Sequence, residues 1–101
     1  MLHITVADSI RTRMRGLLGR DGLEPGEGLL LRPANSVHTA FMRFAIDVVF
    51  LDRELKVLDV LEAVPPWRMK ARRGARAVLE LGAGEAARLG IVPGERLLID
   101  A

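Results

Sequence analysis

Ile46-Asp47-Val48-Val49-Phe50-Leu51, then Asp52-Arg53-Glu54, then Leu55-Lys56-Val57-Leu58-Asp59-Val60-Leu61-Glu62-Ala63-Val64, is the stretch that decides the fold. The first run is β-branched and aromatic and too short for a typical helix, so it reads as a largely buried strand, central in its sheet. Three polar residues make a tight connection. The second run, 55–64, is therefore predicted to return beside the first as an antiparallel hairpin partner. Pro65-Pro66 stops it, because proline supplies no ladder donor and restricts its neighbour.

Working outward, Leu2, Ile4 and Val6 alternate with His3, Thr5 and Ala7 in the period of a half-buried strand. Asp8 or Ser9 can cap a helix, and Ile10, Met14, Leu17 and Leu18 set one apolar stripe along it as far as Gly19. Leu29-Leu30-Leu31 and Ala77-Val78-Leu79-Glu80-Leu81 read as further strands. Residues 84–89 make a helical turn or two closed by Gly90, and Pro93-Gly94 turns the chain into Leu97-Leu98-Ile99. The expected fold class is α+β and mainly antiparallel β: a small barrel-like sheet with one clear N-terminal helix and a short C-terminal helical turn.

At 101 residues, 50% hydrophobic and 28% charged, the chain is expected to be a single globular domain over 1–101. It has no cysteine, which excludes disulfides, a thiol nucleophile and thiolate metal or iron–sulfur sites. No apolar run approaches the roughly 18 residues of a membrane helix, and Met1-Leu2-His3-Ile4-Thr5 lacks a signal-peptide pattern, so the expectation is a cytoplasmic protein without membrane contact. The net charge is only +2, yet the pI is about 9.9, because thirteen of the fifteen bases are arginine. Distribution says more than the sum. Arg68, Lys70, Arg72, Arg73 and Arg76 crowd one segment that contains no acid. Gly16, Gly19 and Gly22 flank a helix end rather than a helix start, so they do not form a phosphate-binding loop, and no nucleophile elbow is present.

Across nearly its whole length the sequence resembles the prokaryotic family catalogued as domain of unknown function 192. The resemblance is carried by Gly16-Leu17-Leu18-Gly19-Arg20, Gly28-Leu29-Leu30-Leu31, Ser36-Val37-His38-Thr39-Ala40-Phe41-Met42-Arg43 and Ile46-Asp47-Val48-Val49-Phe50-Leu51-Asp52. Pro66-Trp67-Arg68, Val78-Leu79-Glu80-Leu81 and Leu89-Gly90-Ile91 follow in the same order. It implies a compact, mostly β, stand-alone fold and lends no activity or substrate.

Six residues are candidates for a ligand site: His38, Met42, Arg43, Asp47, Trp67 and Arg68. His38 and Met42 suggest soft-metal or acid–base chemistry, but four residues of extended strand separate Cα atoms by about 13 Å, so no metal site is expected. The plainer alternative is a hydrogen-bonded His38 with Met42 filling the core. Asp47 interrupts an apolar strand, and a buried carboxylate needs partners; Arg43, Arg20 or Arg68 could pair with it, either to fix strand register or to face a bound anion. Trp67, the lone tryptophan, could stack a ligand beside Arg68 but reads more readily as the plug of a barrel end. Nucleic acid is disfavoured, since the phenylalanines sit in core-like contexts and leave few rings for stacking.

The leading expectation is a non-catalytic module that binds a small anionic ligand or a protein partner in a cleft lined by these six residues, without cofactor. The alternatives are a hydrolase or transferase with His38 and Asp47 as its acid–base pair, and a nucleic-acid accessory protein using the basic segments.

Overall fold

A computed structural model describes residues 3–7 and 22–98, with side chains for 4–6 and 22–98. Seven strands carry the fold: β1 (His3–Ala7), β2 (Glu27–Leu31), β3 (Ser36–His38), β4 (Ile46–Leu51), β5 (Val57–Val64), β6 (Met69–Ala71) and β7 (Ala77–Gly82), followed by a short helix α1 (Glu85–Arg88). Five strands form one sheet in the order β1-β2-β7-β4-β5, parallel only between β1 and β2, while β3 and β6 pair separately as a two-stranded ribbon.

The expected hairpin of β4 and β5 is present, and both strands that flank β4 run antiparallel to it. All six residues of β4 are buried, as are all six of β7, because each strand is covered on both faces. Alternation along β4 separates two cores. Ile46, Val48 and Phe50 join Val37 and Met42 beneath the ribbon, whereas Val49 and Leu51 join Leu79, Ala86 and Ile91 beneath α1 and the C-terminal segment. Gly28 lets β2 lie close under its neighbours, since a Cβ there would stand 2.8 Å from Ile4 Cδ1 and 2.9 Å from Leu81 Cδ2.

The expectation of a barrel-like sheet is corrected. The sheet stays open, with β1 and β5 at opposite edges, and the ribbon lies over one face instead of completing a cylinder. A succession of short strands and turns fits a sheet plus a ribbon as well as a barrel, and periodicity alone does not say which strands pair. The short C-terminal helical turn is present as α1, with Gly90 at φ 71° after it, and it is the one α-helix among the described residues. The helix expected between Asp8 and Gly19 lies outside the described residues. After Ile91 the chain turns at Pro93-Gly94 as expected, Glu95 N–H donating to the Val92 carbonyl at 3.3 Å. Residues 94–97 line the start of β5 through the bonds Val57 N–H to Glu95 O, Gly94 N–H to Val57 O and Leu97 N–H to Leu55 O. No helix among the described residues is long and apolar enough to cross a membrane.

A buried acid tethers β2 to α1. Glu85 accepts Gly26 N–H at 2.8 Å and a two-point contact from Arg88 at 2.6 and 2.7 Å. The Arg88 guanidinium, then the Gly26 amide, hold the Glu85 carboxyl at about 2 against its ordinary 4.5. Because the folded-state value is depressed, this contribution to stability is complete above about 4.5 and disappears as the pH falls towards 2. Denaturant titrations from pH 6 to pH 2 should therefore show wild type and Glu85→Gln separated by a constant gap at the upper end that closes through that window. A gap independent of pH would overturn the assignment.

Candidate functional site

The ribbon and the loops at its end make the most unusual surface of the described chain. In register, His38 faces Met69 and Ser36 faces Ala71, while Val37, the partner of Lys70, is buried in the core. His38 and Met69 consequently point outward on the same side. At the end of the ribbon the chain turns through 39–45 on one strand and 65–68 on the other. There Phe41 and Trp67 meet edge to face with ring centroids 4.7 Å apart. Both rings stand in solvent, Phe41 at 66% and Trp67 at 62% exposure, and Met69, two residues on from Trp67 at the start of β6, reaches 72%.

Each of these aromatics occupies the left-handed region, Phe41 at φ 66° and Trp67 at φ 65°. Such a conformation costs on the order of 1–2 kcal/mol for a residue with a Cβ, and here the side chains recover little of it by burial. What holds it is Thr39, 1% exposed. Its Oγ1 donates to the Pro65 carbonyl at 2.7 Å and accepts the Arg68 N–H at 2.9 Å, while its own N–H donates to the Arg68 carbonyl at 2.8 Å. The Thr39 carbonyl accepts from Trp67 N–H at 3.0 Å and from Met42 N–H at 3.2 Å. One buried threonine thus ties both aromatic turns together.

The surroundings are basic. Segments 28–46 and 63–79, which supply the ribbon and its flanks, contain Arg32, Arg43, Arg68, Lys70, Arg72, Arg73 and Arg76 and not one Asp or Glu. All seven are exposed except the half-buried Lys70. The Arg68 guanidinium folds back onto the Trp67 carbonyl at 3.3 Å.

The six expected site residues are distributed unequally. His38, Arg43, Trp67 and Arg68 are exposed and belong to the ribbon face or its end loops. Met42 is buried in the core below, so it supports the site without lining it. Asp47 lies elsewhere. It is fully buried on the opposite face of the sheet, where Oδ1 accepts Ala63 N–H and Oδ2 accepts Ala86 N–H, each at 2.9 Å. The β4–β5 register slips there, Ile46 facing Val64 and Val48 facing Leu61, so Asp47 sits against a bulge whose Ala63 has φ 50°. Among the described residues its partners are two backbone amides, not Arg43 or Arg68, and Arg20 lies outside them.

Trp67 is not a plug, and Phe41 departs from its core-like context; sequence reading missed Phe41 altogether. The signal that could have found it is the absence of acid on both sides of Phe41-Met42-Arg43 and Trp67-Arg68-Met69. A shallow cavity of about 220 Å³ lined by Pro33, Ala34, Asn35, Ala75 and Arg76 lies near the other end of the ribbon, below the usual size of a small-molecule pocket. Among the described residues no cluster of three or more His, Asp or Glu could hold a metal ion.

With this geometry in place, comparison with known proteins gives a consistent answer. A UPF0127 protein of Pyrococcus furiosus is 34% identical over 103 residues, covering 95% of this chain and 85% of that protein. A crystal structure of a protein of unknown function from Novosphingobium aromaticivorans superposes with a TM-score of 0.81 at 25% identity, covering 94% of this chain and 73% of its own. Another, of a proposed transcription regulator from Sinorhizobium meliloti, gives 0.83 at 25% identity, with 94% and 79% covered. The profile of DUF192, described as an uncharacterized ACR, matches residues 1–99, and the chain belongs to that family.

Proposed function

We propose that the protein is a non-catalytic binding module whose working surface is the ribbon face, with Phe41, Trp67 and Met69 as apolar anchors and Arg43 and Arg68 beside them as anion-binding groups. A single observation carries this reading: two bulky aromatics, both in a strained left-handed conformation, are held in mutual contact and in solvent. Folding alone gains little from that arrangement, whereas a partner that covers the rings would gain rigid contact area at low entropic cost. The acid-free basic flanks select a negatively charged partner. The acid–base alternative lacks a shared site, because Asp47 lies across the sheet from the ribbon that carries His38 and spends both oxygens on backbone amides.

Trp67, the lone tryptophan, reports directly on this surface. Titrating heparin into the protein at low ionic strength should shift or quench its emission, and Arg43→Ala or Arg68→Ala should weaken the response several-fold while leaving the thermal midpoint nearly unchanged. An emission unmoved by heparin, tripolyphosphate, polyglutamate and oligonucleotides alike would overturn the reading.

A further inference from the structure

We infer that the anion recognised by the ribbon face is single-stranded nucleic acid, a deeper assignment that rests on the anion-binding reading above. Two features of the surface must be matched together. The rings of Phe41 and Trp67 offer exposed π-surface, which any unstacked base can cover and which most acidic peptides have few planar groups to match. From the indole the chain leads along β6 to Arg72 and Arg73, at most about 16–20 Å away at roughly 3.3 Å per fully extended residue and less where it bends at Trp67. Cations thus stand at both ends of the ribbon, Arg43 and Arg68 by the rings and Arg72 and Arg73 past β6. Met69 and His38 lie along it on the outward side, and no Asp or Glu interrupts the segments that form it.

A duplex fits less well. A two-stranded ribbon can enter a major groove, but the base faces of a duplex are stacked and closed, which would leave the rings of Phe41 and Trp67 without a partner. Stacking on two rings plus phosphate contacts from arginine is the recurrent solution for single strands, and it is tolerant of sequence. The assignment became available only when Phe41 proved to stand beside Trp67 in solvent, because one ring alone is a poor platform.

The test is fluorescence anisotropy with fluorescein-labelled 12-nucleotide oligothymidylate and oligouridylate, against a duplex of the same length and a polyglutamate peptide of similar charge. The single strands should bind at least tenfold more tightly than duplex or polyglutamate. Their log affinity should fall linearly with log salt, with a slope of about −0.7 per phosphate contacted. Trp67→Ala should cost about 5- to 150-fold at fixed salt with an unchanged slope, and Trp67→Phe should restore most of it. Phe41→Ala provides an independent ring deletion, and Arg72→Ala with Arg73→Ala should flatten the slope instead. If heparin binds but duplex or polyglutamate rivals the single strands, or if Trp67→Ala and Phe41→Ala change nothing, the nucleic-acid assignment falls and the anion-binding reading stands. Failure of every anion to bind removes both.

Discussion

Replacing Asp47 with alanine is expected to lower the unfolding free energy by about 3 kcal/mol. Two amides, the part-buried Ala63 N–H at the β5 bulge and the buried Ala86 N–H at the start of α1, lose their acceptor at once. A buried donor left without a partner costs about 1–3 kcal/mol, which falls mainly on Ala86 N–H, and the truncated Asp47 side chain, 0% exposed, leaves an enclosed void as well. For a domain of this size the thermal midpoint should drop by roughly 12–24 °C. Asp47→Asn should lose somewhat less, about 2 kcal/mol, because the amide oxygen can still serve one donor while its NH₂ is turned against the other. Denaturant unfolding checks this through the midpoint, with the slope unchanged if both states keep their compactness. At temperatures where each variant is folded, heparin and oligonucleotide affinity should match wild type, since Asp47 is across the sheet from the ribbon face. Lost affinity in a folded Asp47→Asn protein would mean that the carboxylate acts at the binding surface after all.

The sequence carried the sheet better than its closure. β2, β4, β5 and β7 were legible because each is an apolar run bounded by turn residues, and Asp52 reads as the turn it makes, with Oδ1 accepting Glu54 and Lys56 N–H at 2.8 and 2.9 Å. The ribbon was not legible. β3 and β6 are three residues each, too short for periodicity, and Met69-Lys70-Ala71 is indistinguishable by pattern from a solvated charge run. Pairing between residues 31 to 35 positions apart creates them, and only tertiary structure records it.

Asp47 and the aromatics illustrate two different limits. A carboxylate inside Ile46-Asp47-Val48-Val49 announces that it has buried partners, yet nothing local says whether they are arginines or amides, because the amides come from a bulge and a helix start far along the chain. Phe41 and Trp67 fail differently. Pattern reading places large rings in cores, and the left-handed backbone that turns these outward is imposed by the hydrogen bonds of Thr39 to residues 26 to 29 positions away.

Thr39→Val is expected to separate what Asp47→Ala leaves joined. Valine fills the same space but neither donates to the Pro65 carbonyl nor accepts the Arg68 N–H, so two polar groups of the aromatic turns lose a partner. The loss should be about 2–3 kcal/mol, seen as a midpoint fall on the order of 10–20 °C. Thr39→Ser keeps the hydroxyl and removes one methyl, which should cost about 1 kcal/mol. The second consequence is functional. The turn that holds Trp67 at φ 65° is bonded through Thr39, so the valine variant, folded at low temperature, should show a broadened Trp67 environment and weaker binding of heparin and oligothymidylate, both restored in Thr39→Ser. A purely structural threonine would lower the midpoint and leave affinity untouched, as Asp47→Asn should. Stability and affinity moving together at Thr39 but apart at Asp47 is the outcome that separates the strained aromatic end of the ribbon from the opposite side of the sheet, and equal behaviour of the two variants would remove that distinction.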